Sequence, residues 1–214
     1  GEVIRLFDEY KFGEAGRELY NFIWNDFCDW YIEISKVALN GDNKELKTRK
    51  QTNLIWILDQ ILRLMHPIMP FVTEKLWLSM PHDGKSIMVA KYPETHKEFE
   101  NRQANEDMAF LIEIIKAVRN IRMKVNAPMS SPIDIMIQLD DEKDKHVLDD
   151  NADYVENFLH PKKLVVAAKV AAPKFAKTAV IPGAQIFVPL TELVNVDDEI
   201  KRMEKESLDR KSVV

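Results

Sequence analysis

The chain has 214 residues, a formal net charge of -5 and 46% apolar residues, with a mean hydropathy of -0.27. Such a length buries a sizeable core in one large or two small domains, and no apolar run approaches the roughly 18 to 20 residues of a membrane span, which excludes membrane insertion. The acidic balance supplies no overall basic footprint for nucleic acid, so any such role must rest on local charge.

The opening residues Gly1-Glu2-Val3-Ile4-Arg5-Leu6 carry no basic leader, no small-residue cleavage site and no initiator Met, so a start within a longer protein is expected. Residues 3–10 read as the end of a helix with Val3, Ile4, Leu6, Phe7 and Tyr10 on its apolar side. A long helix is expected over about 14–40: Ala15, Leu19, Phe22, Ile23, Phe27, Trp30, Ile34 and Val37 repeat at helical spacing, and Trp24, Cys28 and Tyr31 begin a second apolar strip. Such a helix is wedged between two partners. The single Cys28 cannot form an internal disulfide and reads as a small core residue, which fits an intracellular, cytoplasmic origin.

A charged loop is expected next, then a helix over about 47–66 with Leu54, Ile57, Leu58, Ile61, Leu62 and Met65 inward. Pro67 breaks it, Pro70 completes a corner, and His66 is expected to cap that corner through a nearby carbonyl or carboxylate. A short helix (72–79), an irregular stretch (86–96) and a fourth long helix (99–125), with Leu111, Ile115, Val118 and Ile121 at helical spacing, complete an antiparallel bundle. After Asn126-Ala127-Pro128 the period becomes two: Ile133, Ile135, Ile137 and Leu139 alternate with Asp134, Met136 and Gln138, as in a half-buried strand. An acid-rich helix (142–159) and a hairpin around Pro182-Gly183-Ala184 give a small α+β domain with an antiparallel sheet and one covering helix. The divisions expected are therefore a bundle at 1–126, the small domain at 127–192 and a charged helix within 193–214, mainly α overall.

Two segments stand out together. Trp24-Asn25-Asp26-Phe27-Cys28-Asp29-Trp30-Tyr31-Ile32-Glu33, followed by His66-Pro67-Ile68-Met69-Pro70-Phe71 and Thr73-Glu74-Lys75-Leu76-Trp77, closely resembles the helical anticodon-binding domain of the valyl-tRNA synthetases, which are class I aminoacyl-tRNA synthetases. The relatives for isoleucine and leucine share a looser second element but lack Phe27-Cys28-Asp29-Trp30-Tyr31, so valine is favoured and isoleucyl-tRNA synthetase is the near alternative. The resemblance covers essentially residues 2–206. Leu190 to Asp197 is similar to the lead-in of the family's C-terminal coiled-coil arm, whereas residues 207–214 do not continue a heptad. It implies tRNA(Val) as partner, together with the catalytic and editing domains of the same longer chain, no membrane, and a monomer. It also implies that ATP and magnesium bind in those other domains, with no cofactor in this segment.

Neither the His-Ile-Gly-His-like nor the Lys-Met-Ser-Lys-Ser-like element of class I synthetases occurs here, the six glycines form no phosphate loop, and the five histidines with one cysteine make no zinc set. The segment alone is not expected to be catalytic. Asp26, Asp29 and Glu33 share a helix side, yet carboxylates at that spacing more often form a solvated face than an acid/base pair.

Recognition of RNA is what remains. Anticodon bases are splayed from a loop and are read through base-edge hydrogen bonds and stacking, while Lys and Arg hold the phosphates. Two windows lack acids: residues 114–133, with Lys116, Arg119, Arg122 and Lys124, and residues 157–191, with five lysines. For both, the competing reading is a solvated face. Lys116, Arg119 and Arg122 are three apart and form a stripe, with Asn120 beside it and Asn126 past the helix end. The family's Val-Arg-x-x-Arg element matches Val118-Arg119-Asn120-Ile121-Arg122; these arginines either face RNA or pair with Asp26, Asp29 or Glu33. A second group, Lys44, Lys47, Arg49 and Lys50 in the charged loop, with Asn40, Asn43 and Lys36, suits phosphate contact. A reading from another class is a helical scaffold for a protein partner, which the acidic net charge supports.

Overall fold

The computed structural model describes residues 1–190, and the chain divides into two compact units, Gly1–Glu100 and a second that starts at Asn101. The expected coiled-coil arm lies outside the described residues.

In the first unit, α1 (Glu2–Asp8) precedes a continuous helical rod of α2 (Phe12–Asn21), a π-helical stretch (Phe22–Ile32) and α3 (Glu33–Asn40). The rod matches the helix expected over 14–40, and Ala15, Leu19, Phe27 and Ile34 of its expected inner face are buried, but two of the expected strip residues are not. Hydrogen bonds from i to i+5 widen each turn and shift side chains off a 3.6-residue period. Phe27 is buried, while Phe22 and Trp24 are exposed, against the expectation that both lie on packed strips. Ser35, fully buried near the start of α3, donates to the Tyr31 carbonyl at 2.7 Å.

Helix α4 (Lys44–Met65) starts earlier than expected because Asn43 caps it, its Oδ1 accepting from the Leu46 amide at 3.0 Å. Lys44, Lys47, Arg49 and Lys50 therefore stand on helical turns and not in a loop. Helix α5 (Pro70–Trp77) begins with proline at its first position, where the missing N–H would have no partner in any case. The corner between α4 and α5 is built by the motif residues themselves. Thr73 is buried, and its hydroxyl donates to the Met69 carbonyl at 2.8 Å. That leaves the hydroxyl oxygen to accept from His66 Nδ1 at 2.7 Å, so the histidine caps the corner through a hydroxyl and not a carbonyl. Trp77 is fully buried with Leu62 and Ile87, and its Nε1 donates to Asp59 Oδ1 at 2.7 Å. Asp59 also accepts from Arg63, 3.0 Å away, which reaches the Lys91 carbonyl. Glu74 Oε2 accepts from the Ser86 hydroxyl and the Ile87 amide, both at 3.0 Å, and so pins the turn after α5.

In the second unit, α6 (Arg102–Lys124) is capped by Asn101 and buries Leu111, Ile114, Ile115, Val118 and Ile121. The sequence period alone groups this helix with the preceding bundle; in the structure it belongs to the unit of the sheet and packs on the two strands that follow late in the chain. Strand β1 (Ile133–Leu139) alternates buried and half-buried residues as expected. A 3-10 turn (Glu142–Asp144), α7 (Lys145–Asp150) and α8 (Ala152–Leu159) replace the single helix expected, with the break at Asn151. They lead to β2 (Pro161–Ala167), and β3 (Ala176–Ile181) and β4 (Ala184–Pro189) form the hairpin. The sheet order is β2-β1-β4-β3. It is mixed and not antiparallel throughout: β2 runs parallel to β1, which the α7–α8 crossover makes possible, while β4 is antiparallel to both its neighbours. Instead of one covering helix, α6, α7 and α8 pack together.

Candidate nucleic-acid interface

The candidate residues divide between the two units. On the first, Asn40 ends α3 and is exposed, and Lys36 one turn earlier is paired with Glu33 at 2.5 Å. Asn43 is spent on capping α4. Lys44, Lys47 and Lys50 follow at intervals of three and form one row along the start of α4, whereas Arg49, two residues past Lys47, projects to another side. Lys44, Lys47 and Arg49 are exposed and have no ion pair among the described residues. Lys50 is half-buried with its ammonium 5.7 Å from the centre of the Tyr31 ring. Tyr20 and Trp24, one turn apart with ring centres 6.2 Å from each other, are both exposed. Helical spacing puts Trp24 on a second packed strip and gives no assignment for Tyr20; their exposure in the structure makes both rings faces on which a base can stack.

On the second unit, the expected stripe of Lys116, Arg119 and Arg122 does not form a common surface. Arg122 is 1% exposed. Its Nη1 donates to the carbonyls of Pro128 at 2.8 Å and Ser131 at 2.7 Å, and its Nη2 donates to that of Leu159 at 2.6 Å. The guanidinium ties the end of α6 to the segment before β1 and to the end of α8. Burial pushes its pKa below the usual arginine value. Neither RNA contact nor pairing with Asp26, Asp29 or Glu33, the two roles expected for it, describes this residue. Arg119 lies half-buried over the Phe158 ring, 5.1 Å from its centre. Lys116 is exposed and 3.1 Å from Glu113, and Asn120 is exposed. Asn126 has a left-handed backbone, φ 52°, and closes α6: the Ala127 amide donates to the Arg122 carbonyl at 2.9 Å and the Asn126 amide to that of Met123 at 3.2 Å.

Among the described residues no cluster of three His, Cys, Asp or Glu forms a cage for a metal, and no helix is long and apolar enough to cross a membrane. A helical unit that presents cations without ion pairs among the described residues, and exposed rings elsewhere on the same unit, has the make-up of a polyanion-recognition domain.

Comparison with known proteins defines the class further. The family model of the anticodon-binding domain of tRNA ligases matches residues 1–137. The chain is 85% identical over 205 residues to the Valine--tRNA ligase of Lactobacillus johnsonii, covering 96% of this chain and 23% of that protein. It is 82% identical over 200 residues to that of Lactobacillus acidophilus, covering 94% and 23%. For that of Geobacillus stearothermophilus the identity is 47% over 204 residues, covering 95% and 23%. The chain thus spans 23% of the length of these relatives. It belongs to the family of tRNA-ligase anticodon-binding domains.

Proposed function

We propose that this chain is the part of a valine--tRNA ligase that grips the anticodon region of tRNA(Val). The longer enzyme would join valine to that tRNA with ATP and magnesium bound in its other domains, and this segment would hold no cofactor and catalyse nothing by itself. The observation that carries the reading is the start of α4, where Lys44, Lys47 and Arg49 are exposed without carboxylate partners among the described residues. Cations in that state release counterions when they meet phosphates. Tyr20 and Trp24 supply stacking faces in the same unit, and binding there would aid the distant chemistry only by favouring the reactive complex.

The catalytic and editing domains of the same chain are the protein partners of this reading. Its support is the outward side of α5, where Phe71 is 88% exposed and Val72 and Leu76 are half exposed. Apolar area of that kind usually marks a contact surface. The reading takes the working form as a cytoplasmic monomer.

A titration of the chain with a tRNA(Val) transcript and with anticodon-substituted transcripts tests the function. Anticodon discrimination is expected. Lys44→Ala with Lys47→Ala should weaken binding to all transcripts alike and flatten the salt dependence by about 0.7 for each phosphate no longer neutralised. Equal affinity for every transcript with no salt slope would instead leave a protein-docking scaffold.

A further inference from the structure

The acid-free stretch at residues 157–190 lies wholly outside the 1–137 match, and the anticodon reading does not use it. In the order β2-β1-β4-β3, the strands β2 and β3 are the two edges, so the connection at residues 168–175 must cross both inner strands. One face of the sheet is closed by Ile133, Ile135, Ile137, Ile186 and Val188, all fully buried. The loop crosses the other face. The Val170 amide donates to Gln138 Oε1 at 3.1 Å, and Gln138 alternates with the buried isoleucines of β1. At the far end the Leu190 amide donates to the Phe175 carbonyl at 2.9 Å.

Along this path Lys169 and Lys174 are exposed, and Phe175 is 63% exposed although its backbone is fixed. Lys163 on β2 is exposed and pairs in register with Asp134, so it projects on the same side of the sheet as Gln138. None of these three lysines has an ion pair among the described residues. Asp134 is the carboxylate of that strand face, and its Oδ1 is buried with no hydrogen-bond partner. Asp140 and Asp141 follow β1, and among the described residues neither pairs with Lys169.

We infer that the face bearing Lys163, Lys169, Lys174 and Phe175 is a second RNA-binding surface, taking an unpaired stretch of tRNA with a base stacked on Phe175 and phosphates on the lysines. The inference rests on the reading of the chain as a tRNA-binding segment. An exposed ring on an anchored backbone, set among unpaired cations, combines the two terms by which proteins hold single strands: stacking and phosphate neutralisation. A purely acidic partner would use the lysines and ignore the ring.

The test is a titration of the full chain with labelled tRNA(Val) transcript, using Phe175→Ala, Phe175→Trp, the triple variant Lys163→Ala, Lys169→Ala, Lys174→Ala, and the double variant Lys44→Ala, Lys47→Ala. Phe175→Ala should weaken binding about fivefold or more, Phe175→Trp should retain it, and the triple variant should flatten the salt slope by about 0.7 for every phosphate it ceases to neutralise. Oligouridylate should displace the tRNA from the wild-type chain better than polyglutamate of equal charge. Full binding by Phe175→Ala and the triple variant, beside a loss in the Lys44, Lys47 double variant, would overturn this surface and leave the anticodon reading intact. The opposite pattern would support this surface and remove the other. Equal displacement by polyglutamate would overturn the RNA assignment, and a wild-type chain with no affinity for tRNA would sink both.

Discussion

Arg122 holds three backbone carbonyls from two separate segments, and at 1% exposure solvent does not compete for them. Arg122→Met keeps much of the stem and leaves those acceptors without donors, each costing about 1–3 kcal/mol. A loss of about 3 kcal/mol or more is expected in urea unfolding, with RNA affinity per folded molecule unchanged. Stability within about 0.5 kcal/mol of wild type, the range of an ordinary surface substitution, would show that the contacts are dispensable. This residue marks the limit of what the chain's pattern reveals about the site. Arg119 and Arg122 share charge and helical spacing, yet one lies over a ring and the other is interior because of Leu159, 37 residues away. No local signal distinguishes them. His66, Thr73, Glu74 and Trp77 teach the complementary lesson: the residues that identify the family are architectural, each used on the α4–α5 corner or the turn after it. Trp77→Phe keeps the ring but removes the donor to Asp59, so about 1–2 kcal/mol should be lost. Chemical denaturation measures it, and an unchanged midpoint would mean that Arg63 alone satisfies the carboxylate.

Helix ends carry the next set of expectations. Asn43 sets where α4 begins and so places Lys44 and Lys47 on a helical row; Asn43→Ala should cost about 1 kcal/mol and fray that row. Amide hydrogen exchange should then rise at Lys44 to Lys47 before it rises elsewhere in α4. Exchange spread evenly along α4 would deny the cap that role. The start of α4 escapes the periodicity argument because Lys44 to Lys50 holds one apolar residue, Leu46, and without an apolar period only the cap announces a helix. Strand β1 is fully legible, because one face is core and alternation records it. The direction of β2 is not, since parallel and antiparallel neighbours leave the same mark on a single strand. The α6–α7 contact has its own pH signature. His146 on α7 is exposed, and its raised pKa comes first from the hydrogen bond to the Lys143 carbonyl and then from Asp107 on α6, 3.5 Å away. A raised folded-state pKa means that the contact contributes fully below the usual histidine value and is lost as the pH rises through the folded one. An NMR titration should place the His146 midpoint above that of an unfolded peptide, and Asp107→Asn should bring it down.

At the scale of the whole molecule, the sheet has to close its isoleucine face with something. Leu111, Ile114, Ile115 and Val118 of α6 are buried within the unit that starts at Asn101, and α6 packs on β3 and β4 as well as on α7 and α8. The change of period at Asn126 suggests a border there, because a strand following a helix looks like a new domain. Packing argues otherwise: a polypeptide of residues 127–190 would expose the side of β3 and β4 that α6 covers, and Phe110 against Gly183 shows how closely helix and hairpin meet, a Cβ at that glycine falling 3.2 Å from the ring. A polypeptide of residues 101–190 should therefore fold with dispersed amide resonances and a cooperative melt. The one of residues 127–190 should not, and should bind hydrophobic dye. Cooperative folding of the shorter polypeptide would show that the small sheet is self-sufficient and that α6 is only leaning on it.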